Sequence, residues 1–262
     1  MKRKTTSKRR TMKGKLRTTW RMKAPGDLGM ETNNEGTFYY KENEKGELEY
    51  HRSNGPAIVR NPDNGANRYR AREEWWVDGK LHRLNGPALI SADGTENWYL
   101  NGKRHREGGP AIENEKIKEW WMFGKRHRLD GPATVIPGDE KMWWVDGKLH
   151  REDGPAIEKE DGTKYWYING EHHREDGPAI EYANGTKYWF RNGVLHRLDG
   201  PAVDIENGLK EWYINGKRYS EENFERERQR IYKNLLLTNY AMVKTGITNT
   251  EPIKRIQYYS TR

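Results

Sequence analysis

The 262-residue chain carries a net charge of +9, yet 11 of its 48 Lys and Arg residues fall within residues 1–23, where there is no acid. The remainder holds 37 basic against 39 acidic residues, so the excess positive charge belongs to an N-terminal arm and not to the body. With no cysteine, a disulfide framework and a Cys-based metal site are excluded, and no stretch approaches the roughly 18 consecutive apolar residues of a spanning helix.

In chain order the arm comes first. "MKRKTTSKRRTMKGKLRTTWRMK" cannot bury enough apolar surface to fold alone, and a basic run of this kind binds nucleic acid or another polyanion. The residues expected to make that contact are Lys2, Arg3, Lys4, Lys8, Arg9, Arg10, Lys13, Lys15, Arg17, Arg21 and Lys23. The arm lacks the apolar run of a secretory signal. It is acid-free like a transit peptide, but Lys-heavy and nearly devoid of aliphatics. A disordered arm over 1–29 is expected.

From residue 30 to 219 the chain repeats. Gly-Pro-Ala begins at Gly55, Gly86, Gly109, Gly131, Gly154, Gly177 and Gly200, in steps of 31 and then 23, 22, 23, 23 and 23 residues. Each is preceded by His-Arg, from His51-Arg52 to His196-Arg197, and an aromatic pair recurs upstream, led by Trp75, Trp98, Trp120, Trp143, Trp166, Trp189 and Trp212. Such a period marks stacked units that bury their core only against neighbours. Leu, Ile, Val and Phe make only 40 residues, below the roughly 20% at which disorder becomes the default expectation. Trp and Tyr add 26, so the expected core is thin and aromatic.

The repeat translates into strands. In "KYWFRNGVLHR" the pair Asn192-Gly193 lies between two strand-like runs, a strong hairpin signal, so Arg191 should face Val194, and Phe190 should face Leu195. Alternation along a strand then puts Trp189 and His196 on one face and Phe190 and Leu195 on the other. Two strands per repeat, extended over about seven repeats at about 4.8 Å per strand, predict an all-β, single-sheet solenoid roughly 65 Å long.

The histidines invite a chemical reading, but the arrangement opposes it. Equivalent histidines lie about 10 Å apart, too far to share a zinc with ligands at about 2.0–2.1 Å. Catalysis needs one distinctive constellation, whereas this one occurs seven times. We therefore expect structural histidines, stacked on Trp and bonded to neighbouring backbone, with no catalytic residue, metal or cofactor. The arginines from Arg52 to Arg197 are expected on the opposite face. They would pair with acids such as Glu96 or Glu119, stack on the second aromatic, or track a phosphate backbone; the body's acid excess favours pairing.

Two irregularities stand out. The first connection, "VRNPDNGANRYRAREE", is lengthened and carries Arg68, Arg70 and Arg72 as further polyanion candidates; it reads equally as a binding loop or as protection of a sheet edge. At the other end, "SEENFERERQRIYKNLLL" offers Ser220 as an N-cap and Glu221 and Glu222 for the first turn. Phe224, Ile231 and Leu235 form one stripe, which predicts a capping helix over 220–240. Docking of a partner by Leu235–Leu237 is the other reading, and residues 241–262 form a polar tail.

The array resembles MORN repeats, β-hairpin modules of about 23 residues with a "WxNGKxHGxG"-like signature. Here Arg follows His, and Gly-Pro-Ala is added, as in "WWVDGKLHREDGPAIEKEDGTKYWYINGEHHREDGPA". That variant is similar to arrays in large DNA viruses and tailed phages. The resemblance covers about residues 38–219 and implies a scaffold or protein-binding platform. The expectation is a non-enzymatic, soluble intracellular binding protein, in host cytoplasm, nucleus or virion. Its sheet would dock a protein or assembly, and its arm would hold nucleic acid or another polyanion. The alternative is a structural component of a virion or similar assembly.

Overall fold

The computed structural model describes residues 29–33, 35–60 and 73–244. They form an antiparallel β fold with one C-terminal helix, and the chain divides into two compact units, residues 1–114 and 115–262.

Each repeat carries four short strands, not two. Ile180–Glu181 pairs with Lys187–Tyr188 in the register Ile180↔Tyr188 and Glu181↔Lys187. The first of these also pairs back to Lys164–Tyr165, and the second forward to Val203–Asp204. Such pairs form a ladder through each unit. In the first unit it starts at Gly29–Asn33 and Gly36–Glu42; in the second it ends at Lys210–Ile214. The Asn-Gly hairpin, Phe190–Arg191 with Val194–Leu195, is a separate two-stranded sheet with the expected pairing. Isolated bonds tie it to its neighbour, such as Gly193 N–H to the His172 carbonyl at 3.0 Å.

Turn chemistry sets this architecture. Asn192 and Gly193 have φ of 48° and 75°, the two left-handed residues of a type I′ turn. All seven hairpins follow suit, and at one of them the first position is Phe123, with φ of 47°. The ladder turns use another device. Asn184 Oδ1 accepts from Thr186 N–H at 3.0 Å, and Asp161 from Thr163 N–H at 2.8 Å. These threonines are buried, and their hydroxyls accept from the next repeat's backbone, Ala183 N–H at 3.2 Å and Glu206 N–H at 3.3 Å.

The core differs from the aromatic one expected. The alanines of Gly-Pro-Ala (Ala57, Ala88, Ala111, Ala133, Ala156, Ala179 and Ala202) are all 0% exposed, whereas the leading tryptophans are all half-buried. The reason is steric: the Trp189 N–H bonds the Ala202 carbonyl at 2.8 Å, and only a small side chain fits so close to the aromatic neighbour.

Helix α1 (Glu221–Lys244) runs four residues past 240. Ser220 caps it, its Oγ accepting from Asn223 N–H at 3.4 Å. Phe224, 1% exposed, joins Leu198 and Ile214 in a cluster with Trp212, Tyr219 and Ile231 packed around it. The helix thus covers the final repeat, while Leu236, Leu237 and Tyr240 remain exposed.

Candidate functional site

The repeated arginine is held on four sides. Its guanidinium lies over the leading tryptophan, with Cζ 3.8–4.1 Å from the ring centroid from Arg83 on Trp75 to Arg197 on Trp189. Arg52 sits on Tyr39 at 4.1 Å, which shows Tyr39 in the Trp place of the first repeat. Nη1 donates to the carbonyl of the following proline, as from Arg174 to Pro178 at 3.3 Å and Arg197 to Pro201 at 3.1 Å. In four repeats Nε donates to the aspartate two residues on, Arg151 to Asp153 at 2.9 Å among them. That hydrogen bond and charge hold the Asp130 and Asp153 carboxyls below the usual carboxylate range. The fourth side is the glycine of Gly-Pro-Ala, where a Cβ would come within 2.7–3.1 Å of Cζ. The Arg-x-x-Gly-Pro spacing is therefore a clasp built from one planar cation.

This corrects the expected placement of these arginines. They lie on the leading-Trp face, because the strand Val194–Leu195 ends before His196 and the chain turns back. Their acids also differ. Arg151 pairs with Glu158 at 2.8 Å and Arg174 with Glu181 at 3.0 Å, while Glu119 holds Arg126 at 2.6 Å.

The histidines tie one repeat to the next. His Nδ1 accepts the backbone N–H of the following hairpin turn at 3.1–3.2 Å, from His51 with Asp78 to His196 with Asn215. In four of these rings Nδ1 also lies 2.7–3.1 Å from the side-chain Oδ1 of the same turn residue, Asp78, Asn101, Asp146 or Asn192. Burial holds His196 below the usual histidine range. Among the described residues no cluster of three or more His, Asp or Glu is placed to hold a metal ion. A small cleft near His196 is lined by Arg174, Arg191 and Arg197 against Glu175, Asp176 and Asp199. Its charges balance, and most of its residues belong to the repeated clasp.

The repeats part company on the other face of the ladder. At the position two before the second aromatic stand polar residues in the outer repeats led by Trp: Glu74, Asn97, Glu119 and Glu211. Glu74 accepts from the Trp76 indole at 3.0 Å, Glu119 from Trp121 at 2.9 Å, and Glu211 from the Tyr213 hydroxyl at 3.0 Å. Met142, Tyr165 and Tyr188 replace them in three consecutive repeats of the second unit. There the cross-strand row reads Thr134, Met142, Ile157, Tyr165, Ile180, Tyr188 and Val203. Tyr182 meets Tyr165 and Tyr188 edge-on at 5.9 and 6.0 Å, and His172 lies 4.0 Å from Tyr167 and 5.2 Å from Phe190. Burial beside Tyr182 pushes the Tyr165 hydroxyl up to about 12. Comparing this one position across the repeats locates the patch from sequence.

The arm residues from Lys2 to Lys23, together with Arg68, Arg70 and Arg72, lie outside the described residues. Among the described residues no helix is long and apolar enough to cross a membrane. No protein-family model matches the chain, and a search of curated proteins finds no similar sequence.

Proposed function

We propose that this chain is a non-enzymatic, soluble binding protein: a MORN-like repeat platform whose sheet docks a protein and whose arm anchors it to nucleic acid or another polyanion. One observation carries the platform half. The residues best suited to chemistry, the seven clasp arginines and six of the repeated histidines, are consumed in the same scaffold contacts repeat after repeat. Among the described residues the distinctive surface lies where the outer face turns apolar. The arm half is carried by charge: 11 basic residues and no acid in 23 positions, attached to a body with a slight acid excess. Repeat variants of this kind in large DNA viruses and tailed phages favour a viral setting.

The test is a pull-down of the full chain with and without nuclease. The reading expects nucleic acid in the untreated eluate and retention of a protein partner after digestion. A chain that brings down neither, but incorporates into particles, would support the virion-component reading instead.

A further inference from the structure

We propose that the apolar strip formed by Met142 and Trp144, Tyr165 and Tyr167, and Tyr188 and Phe190 docks a proline-rich segment of a partner protein, held as a polyproline II helix running across the strands. This rests on the reading of the sheet as a protein-docking surface and names the chemistry of its partner.

The strip is bounded. Glu119 with Arg126 closes one side at 2.6 Å, and Glu211 with Arg218 the other at 2.7 Å. Between them no acid occupies the equivalent place, and the facing residues are Leu149, His172 and Leu195. One consequence is that the Trp144 indole N–H is buried without a partner, where Trp121 has Glu119. A buried donor left without an acceptor is costly, so the Trp144 repeat departs from the scaffold's own way of satisfying its polar groups, while the Tyr167 hydroxyl meets His172 Nε2 at 2.9 Å. Aromatic surface rimmed by charge marks an interaction site.

Spacing selects the ligand's conformation. Equivalent positions in successive repeats are two strand spacings apart, about 9.6 Å. A polyproline II helix rises about 3.1 Å per residue with three residues per turn, so it repeats every 9.3 Å or so. Over the two steps from Trp144 to Phe190 the mismatch is about 0.6 Å. An α-helix returns to the same side after seven residues, about 10.5 Å, and misses by about 1.8 Å over those steps. A β-strand's two-residue period of about 6.7 Å does not fit at all. Aromatic-lined grooves are the usual receptors for polyproline II segments.

Charge selects the flank. The ladder turns beside the strip carry Asp139, Glu160, Asp161 and Glu206 and no lysine, and Glu140 on the adjoining strand is paired with Lys159 at 3.6 Å. The lysines that open the next strands, Lys164, Lys187 and Lys210, alternate onto the opposite face. An Arg or Lys beside the prolines complements that edge.

Fluorescence anisotropy with the full chain tests the proposal. The probe is a labelled short peptide with proline at every third position and an N-terminal arginine. One control has the same composition with proline at every fourth position; another is an amphipathic helical peptide. The period-three peptide should bind with a Kd at or below about 100 μM, and at least about tenfold tighter than the period-four peptide. Tyr188→Glu should weaken it about tenfold or more, and Lys187→Glu, on the opposite face, less than about twofold. Circular dichroism melts establish that both variants fold; if Tyr188→Glu does not, Tyr165→Ala carries the same expectation. No binding at about 1 mM, equal binding of the two proline peptides, or indifference to the strip variants overturns the proposal. If only the helical peptide binds, and does so through Tyr188, the polyproline proposal falls while the docking reading stands. If no peptide binds in a strip-dependent way, both fall.

Discussion

Gly177 has an ordinary backbone conformation, and its constraint is steric: a Cβ there meets the Arg174 guanidinium at 2.9 Å. That cation is pinned by the Trp166 ring and the Pro178 carbonyl and cannot yield without losing both. Gly177→Ala should therefore destabilise by about 1–3 kcal/mol, and Arg174→Lys should also weaken the fold because an ammonium lacks the planar fork. Chemical denaturation measures both, and wild-type midpoints would contradict the clasp. Phe123 makes the reverse case, with a left-handed φ of 47° and 57% exposure. Phe123→Asn should stabilise by about 0.5–1 kcal/mol, since Asn tolerates that region at lower cost. Histidine supplies a pH effect. His196 accepts a backbone N–H at Nδ1, and burial holds its folded pKa below the unfolded value of about 6.5. The unfolded chain thus binds the proton more readily, so this contribution is present above pH of about 6.5 and is lost as pH falls below it. His196→Gln should flatten the melting-temperature profile between about pH 7 and 5; an unchanged slope would deny the contact its role.

The elements differ in how far the sequence reveals them. The hairpins are legible because Asn-Gly and Asp-Gly select one turn type, which fixes the pairing of Phe190 with Leu195. The helix is legible from Ser220 and the Phe224–Ile231 stripe. Its packing makes Phe224→Ala costly, about 3–5 kcal/mol, and the loss should appear first as faster hydrogen exchange in Lys210–Ile214 and Lys217–Tyr219. Uniform protection there after the substitution would count against the cap. The four-strand repeat is not legible, because simple alternation does not show that the strands stop at Phe190 and Leu195. Alternation carried past those points puts the arginines on the wrong face. The alanine core is not legible for a related reason: aromatic mass does not measure burial, because the tightest sites are where backbones approach and only a methyl fits. Trp143 keeps its importance through Arg151, stacked on it at 4.0 Å. The apolar strip is written in the sequence as Met142, Tyr165 and Tyr188 in three consecutive repeats, at a position that is polar in the other repeats led by Trp.

At the scale of the whole molecule the account divides labour between a repeat body that is nearly neutral and an arm that is strongly basic. Among the described residues the body's arginines are committed to its own structure: the clasp arginines lie on their own rings, and several also engage acids. On the proposed reading, polyanion affinity belongs to residues 1–23 and is sequence-independent. The most direct test measures duplex DNA binding by the full chain and by a variant lacking residues 1–23, across a salt series. Each neutralised phosphate contributes about −0.9 to the slope of log K against log salt, so six engaged charges lose roughly three orders of magnitude in affinity between 50 and 200 mM. The account predicts that steep slope for the full chain, and a truncated protein that keeps its strand signature and cooperative melt but loses most binding. A truncated protein that binds DNA as tightly as the full chain would contradict it and move the site to Arg68, Arg70 and Arg72.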